Sequence, residues 1–244
     1  MTGAQAGHLR TAVTGLVAFA AAQEQELLAA RAAPEPGSAT CWAAAPLVAH
    51  NTEFKRQQAQ RLDSIRAGRT PPEFGEIDHG SDAVYLGYAG PAPRQVAQES
   101  WQAAGLLIGG LAAVSDEDLT DPARHPWLRG RMLWLQVVVR GFWHPAGHLG
   151  EYYLAHGEPE RAVTLAERAV ATAADLGAPD SARGMASYNL ACVLARSGRP
   201  DGAVAALAES ITLNPDVRAN AGRDPDLAVL RDSGRLAVVL AGQP

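Results

Sequence analysis

From Leu128 to His156 the chain reads LRGRMLWLQVVVRGFWHPAGHLGEYYLAH, and this stretch decides the fold. Met132, Leu133, Leu135, Val137, Val138 and Phe142 form an almost continuous apolar run, the mark of a helix buried on most of its sides. Pro145 has no N–H to give to the helical ladder, so the helix is expected to kink or restart after Gly141. His144 and His148 stand four residues apart, which puts both imidazoles on one face, one turn from each other. That spacing suits two facial ligands of a divalent metal, which needs at least a third ligand from elsewhere and can keep a further position open.

Working outward, helical periodicity continues in both directions. Leu9, Val13, Leu16, Val17, Ala20, Leu27 and Leu28 keep it up past Gln23, Glu24 and Glu26, where the apolar core of a secretory signal would have stopped. A first helix is expected over about residues 7–33, ended by Pro34-Glu35-Pro36-Gly37. A second, over about 44–66, combines an apolar face with a strongly polar remainder and carries His50 near its start, the candidate third ligand. Residues 67–93 are rich in Gly, Pro and Asp and read as a long connection, with His79 a loop residue. A third helix, about 93–114, opens on a proline and presents Val96, Trp101, Leu106, Leu107 and Leu111. Trp101, Trp134 and Trp143 are expected to fill the core.

The chain's 244 residues suffice for one large or two small domains. Charged residues make up 19% and roughly a fifth of all positions are alanine, which favours an all-α fold. A formal charge of -5 with no basic stripe speaks against nucleic acid as a partner. No stretch reaches the roughly 18 uninterrupted apolar residues of a membrane span. Cys41 and Cys192 lie far apart without a partner motif, as in a protein of the reducing cytoplasm. There is no phosphate-binding glycine loop, no nucleophile elbow and no cysteine in a nucleophile's setting.

The C-terminal third repeats the pattern Gly-x-Pro-acid-x-Ala at Gly157–Ala162 and Gly198–Ala203. In the second copy Leu190, Ala191, Leu194, Ala203, Leu207 and Pro215 resemble the pattern of a tetratricopeptide repeat, whose period is about 34 residues. Gly150, Tyr153, Ala162 and Ala169 take the equivalent places in the first copy, with extra residues around 176–181. Residues 157–244 therefore read as a repeat-like helical layer, with a last helix over 226–240 as its cap.

Trp42 through His50, followed much later by His144-Pro-Ala-Gly-His148-Leu-Gly-Glu151-Tyr152, resembles the DinB/YfiT-like superfamily. The resemblance spans about Leu9 to His156 and implies a four-helix bundle over residues 1–156 with His50, His144 and His148 on a divalent metal. Zinc is the first choice, with nickel or iron open. It further implies a thiol-dependent transferase or a hydrolase acting on a small electrophile, a low-molecular-weight thiol as cosubstrate, and a homodimer by analogy. Glu151 and Tyr152, on the same face one turn on, are the candidate catalytic residues, Glu151 as general base. Two other readings stand beside this one: a scaffold binding a protein partner through the repeat-like layer, and a self-resistance protein that hydrolyses or sequesters a reactive natural product.

Overall fold

A computed structural model of the chain describes residues 3–31, 35, 42–74 and 92–242. All regular structure among them is helical, with no strand. Cys41, His79, most of the breaker at 34–37 and much of the connection at 67–93 lie outside the described residues. The chain divides into two units, Met1–His148 and Leu149–Pro244. The sequence reading set the division after His156, eight positions later along a helix that the observed boundary interrupts.

In the first unit α1 is Gly3–Ala30, α2 Ala44–Arg66 and α3 Pro93–Ala113. After the short α4 (Asp116–Thr120), capped by the Ser115 hydroxyl accepting from the Asp118 N–H, the chain enters α5 (Leu133–Val138). A π-helical turn over Val139–Trp143 joins α5 to α6, His144–Ala155. α3 packs against both α1 and α2, and the π turn packs against the same two helices from its own side. Four helical elements thus enclose one core, built on Val13, Val17, Leu62, Leu107, Leu133 and Phe142. The apolar dozen near the N-terminus is the inner face of α1.

One expectation about this unit is corrected. Trp101 and Leu106 are 59% and 63% exposed, because the buried side of α3 runs through Val96, Ser100, Ala103, Ala104, Leu107 and Leu111. Trp134 does fill the core, at 2% exposure. The polar remainder of α2 is also mostly inside: His50, Asn51, Lys55 and Gln58 have no exposed surface at all.

Pro145 follows directly on a local change of the ladder. The π turn widens it by one residue, so the His144 N–H donates to the Val139 carbonyl, and the α-helical pattern resumes over α6 with Pro145 as its second residue. Gly141 lets this wide turn approach its neighbours. A β-carbon there would stand 2.7 Å from Val17 Cγ2 and 3.0 Å from Leu107 Cδ2. Gly141→Ala is expected to destabilise the protein by about 1–3 kcal/mol through overpacking. Urea unfolding checks this, and a loss under about 0.5 kcal/mol would show that the turn can relax.

The second unit takes up the rest of α6 and then α7 (Pro159–Asp175), α8 (Asp180–Arg196) and α9 (Pro200–Leu213). α8 packs on both α7 and α9. The repeated Gly-x-Pro marks the same device twice. Gly157 and Gly198 adopt φ +74° and +73°, and the N–H of the next residue donates back to the carbonyl five positions earlier, closing the preceding helix. The proline then opens the following helix from its first turn. The final helix expected over 226–240 is instead two pieces, α11 (Ala228–Asp232) and α12 (Arg235–Ala241), α10 being Arg218–Ala221. Gly234, at φ +75°, breaks it. Leu227, Leu230, Leu236 and Val239 from this end close the unit's core over Ala191, Leu194, Ala203 and Leu207.

Candidate metal centre

α2 and α6 bring three imidazoles together. His50, wholly buried, sits on the second turn of α2, while His144 and His148 stand on the first two turns of α6 and are part-buried. The Nε2 atoms of His50 and His144 are 3.2 Å apart. Ring centroids lie 5.1 Å apart for His50 and His144, 4.9 Å for His50 and His148, and 4.5 Å for His144 and His148. One ring nitrogen from each histidine falls within 4.8 Å of the others. Two nitrogens bound to one tetrahedral zinc at about 2.0–2.1 Å lie roughly 3.3 Å apart, so the His50–His144 separation fits a shared ion and the third ring is in reach.

The rings are held by aromatic walls. Trp42 meets His50 edge-on at 5.0 Å and lies nearly parallel to His148, 9° apart in plane and 6.1 Å between centroids. Phe54, one turn beyond His50, is 4.9 Å from it and 4.0 Å from His144. Such walls restrict ring rotation and keep water from the inner side, as a ligand set needs. Arg140, at the π turn, lays its guanidinium 4.4 Å over the other residue of this wall, Phe54.

Glu151 and Tyr152 have partners of their own in the second unit. Both carboxylate oxygens of Glu151 accept from Arg196 Nη1 at 2.7 Å, and the Tyr152 ring, 2% exposed, stacks on His156 at 3.9 Å. On α2 beyond His50, the Glu53 carboxylate accepts from Gln57 at 3.2 Å and Arg56 pairs with Glu99 at 2.9 Å.

A second grouping of ligand-type side chains, Cys192, Asp224 and Asp226, lies in the second unit. Here the groups satisfy one another. The Tyr188 hydroxyl donates to Asp224 at 2.6 Å, and Arg196 reaches Asp226 at 3.4 Å. Burial, and then the charges of Asp224, Asp226 and Glu151, push the Cys192 thiol well above its ordinary range, which leaves it protonated and unreactive at neutral pH. A groove of about 710 Å³ runs between α2 and α3 past Arg56, Asp63, Arg66, Leu106 and Gly109, but none of the three histidines lines it.

One buried group escaped the sequence reading. Lys55, the only lysine of the chain, pairs with Glu24 of α1 inside the core, and the Ser100 hydroxyl of α3 donates to the same Glu24 oxygen at 2.5 Å. No periodicity pairs positions 24, 55 and 100, so only packing could reveal them.

No helix among the described residues is long and apolar enough to cross a membrane. Comparison with protein-family models, with curated proteins and with solved structures finds no match to this chain.

Proposed function

We propose that the protein is a metal-dependent enzyme that transfers a thiol, or water, to a small electrophile, with His50, His144 and His148 as the metal's ligands. The observation that carries the reading is the convergence of three imidazoles from two helices, with two ring nitrogens 3.2 Å apart, on positions 94 residues apart in sequence. Burying the His50 ring completely is costly unless its polar nitrogens find partners. When bound, a divalent ion supplies Lewis acidity and lowers the pKa of a thiol or water entering its open position.

The chain's own residues do the rest. Trp42 and Phe54 hold the imidazoles in orientation and exclude bulk water on the inner side. The π turn sets His144 one wide turn after Val139 and so aims it at His50. In the transfer, sulfur forms a bond to the electrophilic carbon while the leaving group departs with its electron pair, and the thiol proton passes to solvent. Glu151 receives no chemical role here, because Arg196 already holds its carboxylate. The resemblance of the histidine pattern to the DinB/YfiT-like superfamily supports the thiol over water.

The test is a model electrophile, 1-chloro-2,4-dinitrobenzene, followed by its thioether absorbance with zinc and a small thiol present. Turnover is expected to need both additions and to fall on the order of 100-fold or more in His148→Ala. Turnover that survives that substitution, or that persists undiminished in chelator, overturns the proposal.

A further inference from the structure

The chain is acidic overall, with 26 Asp and Glu against 21 Lys and Arg, yet Arg140, an arginine without a carboxylate partner among the described residues, packs on the Phe54 wall of the three histidines. The Arg140 guanidinium lies 4.4 Å over the Phe54 ring, whose centroid is 4.0 Å from that of His144. Arg61, 8% exposed, lies 4.9 Å over the Phe74 ring and 5.3 Å over Trp127. Burial, and then the charges of Arg61 and Arg131, push the Arg140 pKa down. Arg61 is lowered by burial alone. Among the described residues no carboxylate pairs with any of the three. Their polar contacts are to main-chain carbonyls, Arg61 Nε to Pro72 at 3.5 Å and Arg131 Nε to Leu128 at 3.1 Å.

Three donors stand among the buried polar atoms of the described residues that lack a partner. Arg140 Nε and the indole nitrogens of Trp127 and Trp143 are shut from solvent without an acceptor. A buried donor left unpaired costs about 1–3 kcal/mol, and like charges brought together add to that. An anion seated against Arg140 would give its Nε an acceptor and offset the like charge of Arg61, and a guanidinium fork matches a carboxylate's two oxygens. The aromatic faces of Phe54, Phe74 and Trp127 favour an apolar body attached to that anion.

We infer that Arg140 and Arg61, with Arg131 at the exposed rim, bind the carboxylate of an aromatic or apolar electrophilic substrate and set its reacting end toward His144. This rests on the reading of the three histidines as the reacting centre, and it narrows the substrate to a small organic acid. Arg140 and Arg61 are specificity residues; neither takes part in bond making.

Benzoate and benzamide, nearly equal in shape and differing in charge, are the probes, titrated calorimetrically into the full chain. Benzoate is expected to bind with an affinity that falls as salt is added, and benzamide at least tenfold more weakly. Arg140→Gln is expected to weaken benzoate at least tenfold, and Arg66→Gln, whose side chain pairs with Asp63, to leave it unchanged. Equal binding of the two probes, or undiminished benzoate binding in Arg140→Gln, overturns the inference. If Arg140→Gln does not fold, Arg61→Gln and the benzoate-to-benzamide ratio of the unmodified chain decide it. In turnover, benzoate should compete with the electrophile; competition with the thiol instead would overturn the assignment of the carboxylate to the electrophile. His144→Ala separates the two proposals, since it should lose metal and keep benzoate. Metal bound at the histidines with no benzoate binding sinks this inference alone, whereas Arg140-dependent benzoate binding in a chain that takes up no metal sinks the reacting centre.

Discussion

Protein purified without a histidine tag or chelator is expected to carry about one divalent ion per chain, and His50→Ala, His144→Ala and His148→Ala each to lose it. Removing a group that merely orients a ligand typically costs about 10–100-fold in metal affinity, so loss of a ligand itself should reach or pass the top of that range. Elemental analysis gives the stoichiometry, and competition against a chromogenic chelator gives the affinity. Trp42 offers an independent readout, because its indole lies against both His50 and His148. Its emission should change on zinc addition, and Trp42→Phe should abolish the change. An unmodified chain that takes up no ion from excess zinc, or three variants that bind as it does, would sink the centre.

The largest effect on stability is expected at Lys55. Its ammonium and the Glu24 carboxylate are both fully inside the first unit, with Ser100 adding a hydrogen bond to the same oxygen. Taking away one partner leaves the other charge buried without compensation, so Lys55→Met should destabilise the protein by about 3–5 kcal/mol. Replacing both, as Glu24→Leu with Lys55→Met, should recover most of that loss, because an apolar pair of similar volume has no desolvation penalty to meet. Urea unfolding of the two single variants and the double completes the cycle. Additive losses would show that the pair is not coupled and that each residue contributes through packing alone.

The histidine centre was largely readable in advance, for a physical reason. A four-residue spacing on a helix is a local geometric fact, so His144 and His148 could be paired from sequence alone. His50 could be named because its helix was recognised and it was the histidine near that helix's start. The wider site was hidden. Arg140 gave no signal, being one arginine at the end of an apolar run, and Arg61 looked like the polar flank of an amphipathic helix. The burial of the polar residues of α2 gave no signal either. Periodicity separates polar from apolar positions, but it cannot say that a neighbouring helix also offers a polar surface, as Glu24 and Ser100 do to Lys55.

The sequence by itself determined where helices run and how they stop. Residues 44–66 and the start at Pro93 follow from propensity and proline geometry, and the Gly-x-Pro punctuation at 157 and 198 follows from a left-handed glycine before a proline that can only begin a helix. These are choices made within a few residues. Which side of α3 faces inward, how Pro145 is absorbed by a π turn, and which charges meet were decided only by tertiary structure. Each depends on surfaces supplied by segments many residues away, and the free energy of burying a group belongs to the pair of surfaces that close over it.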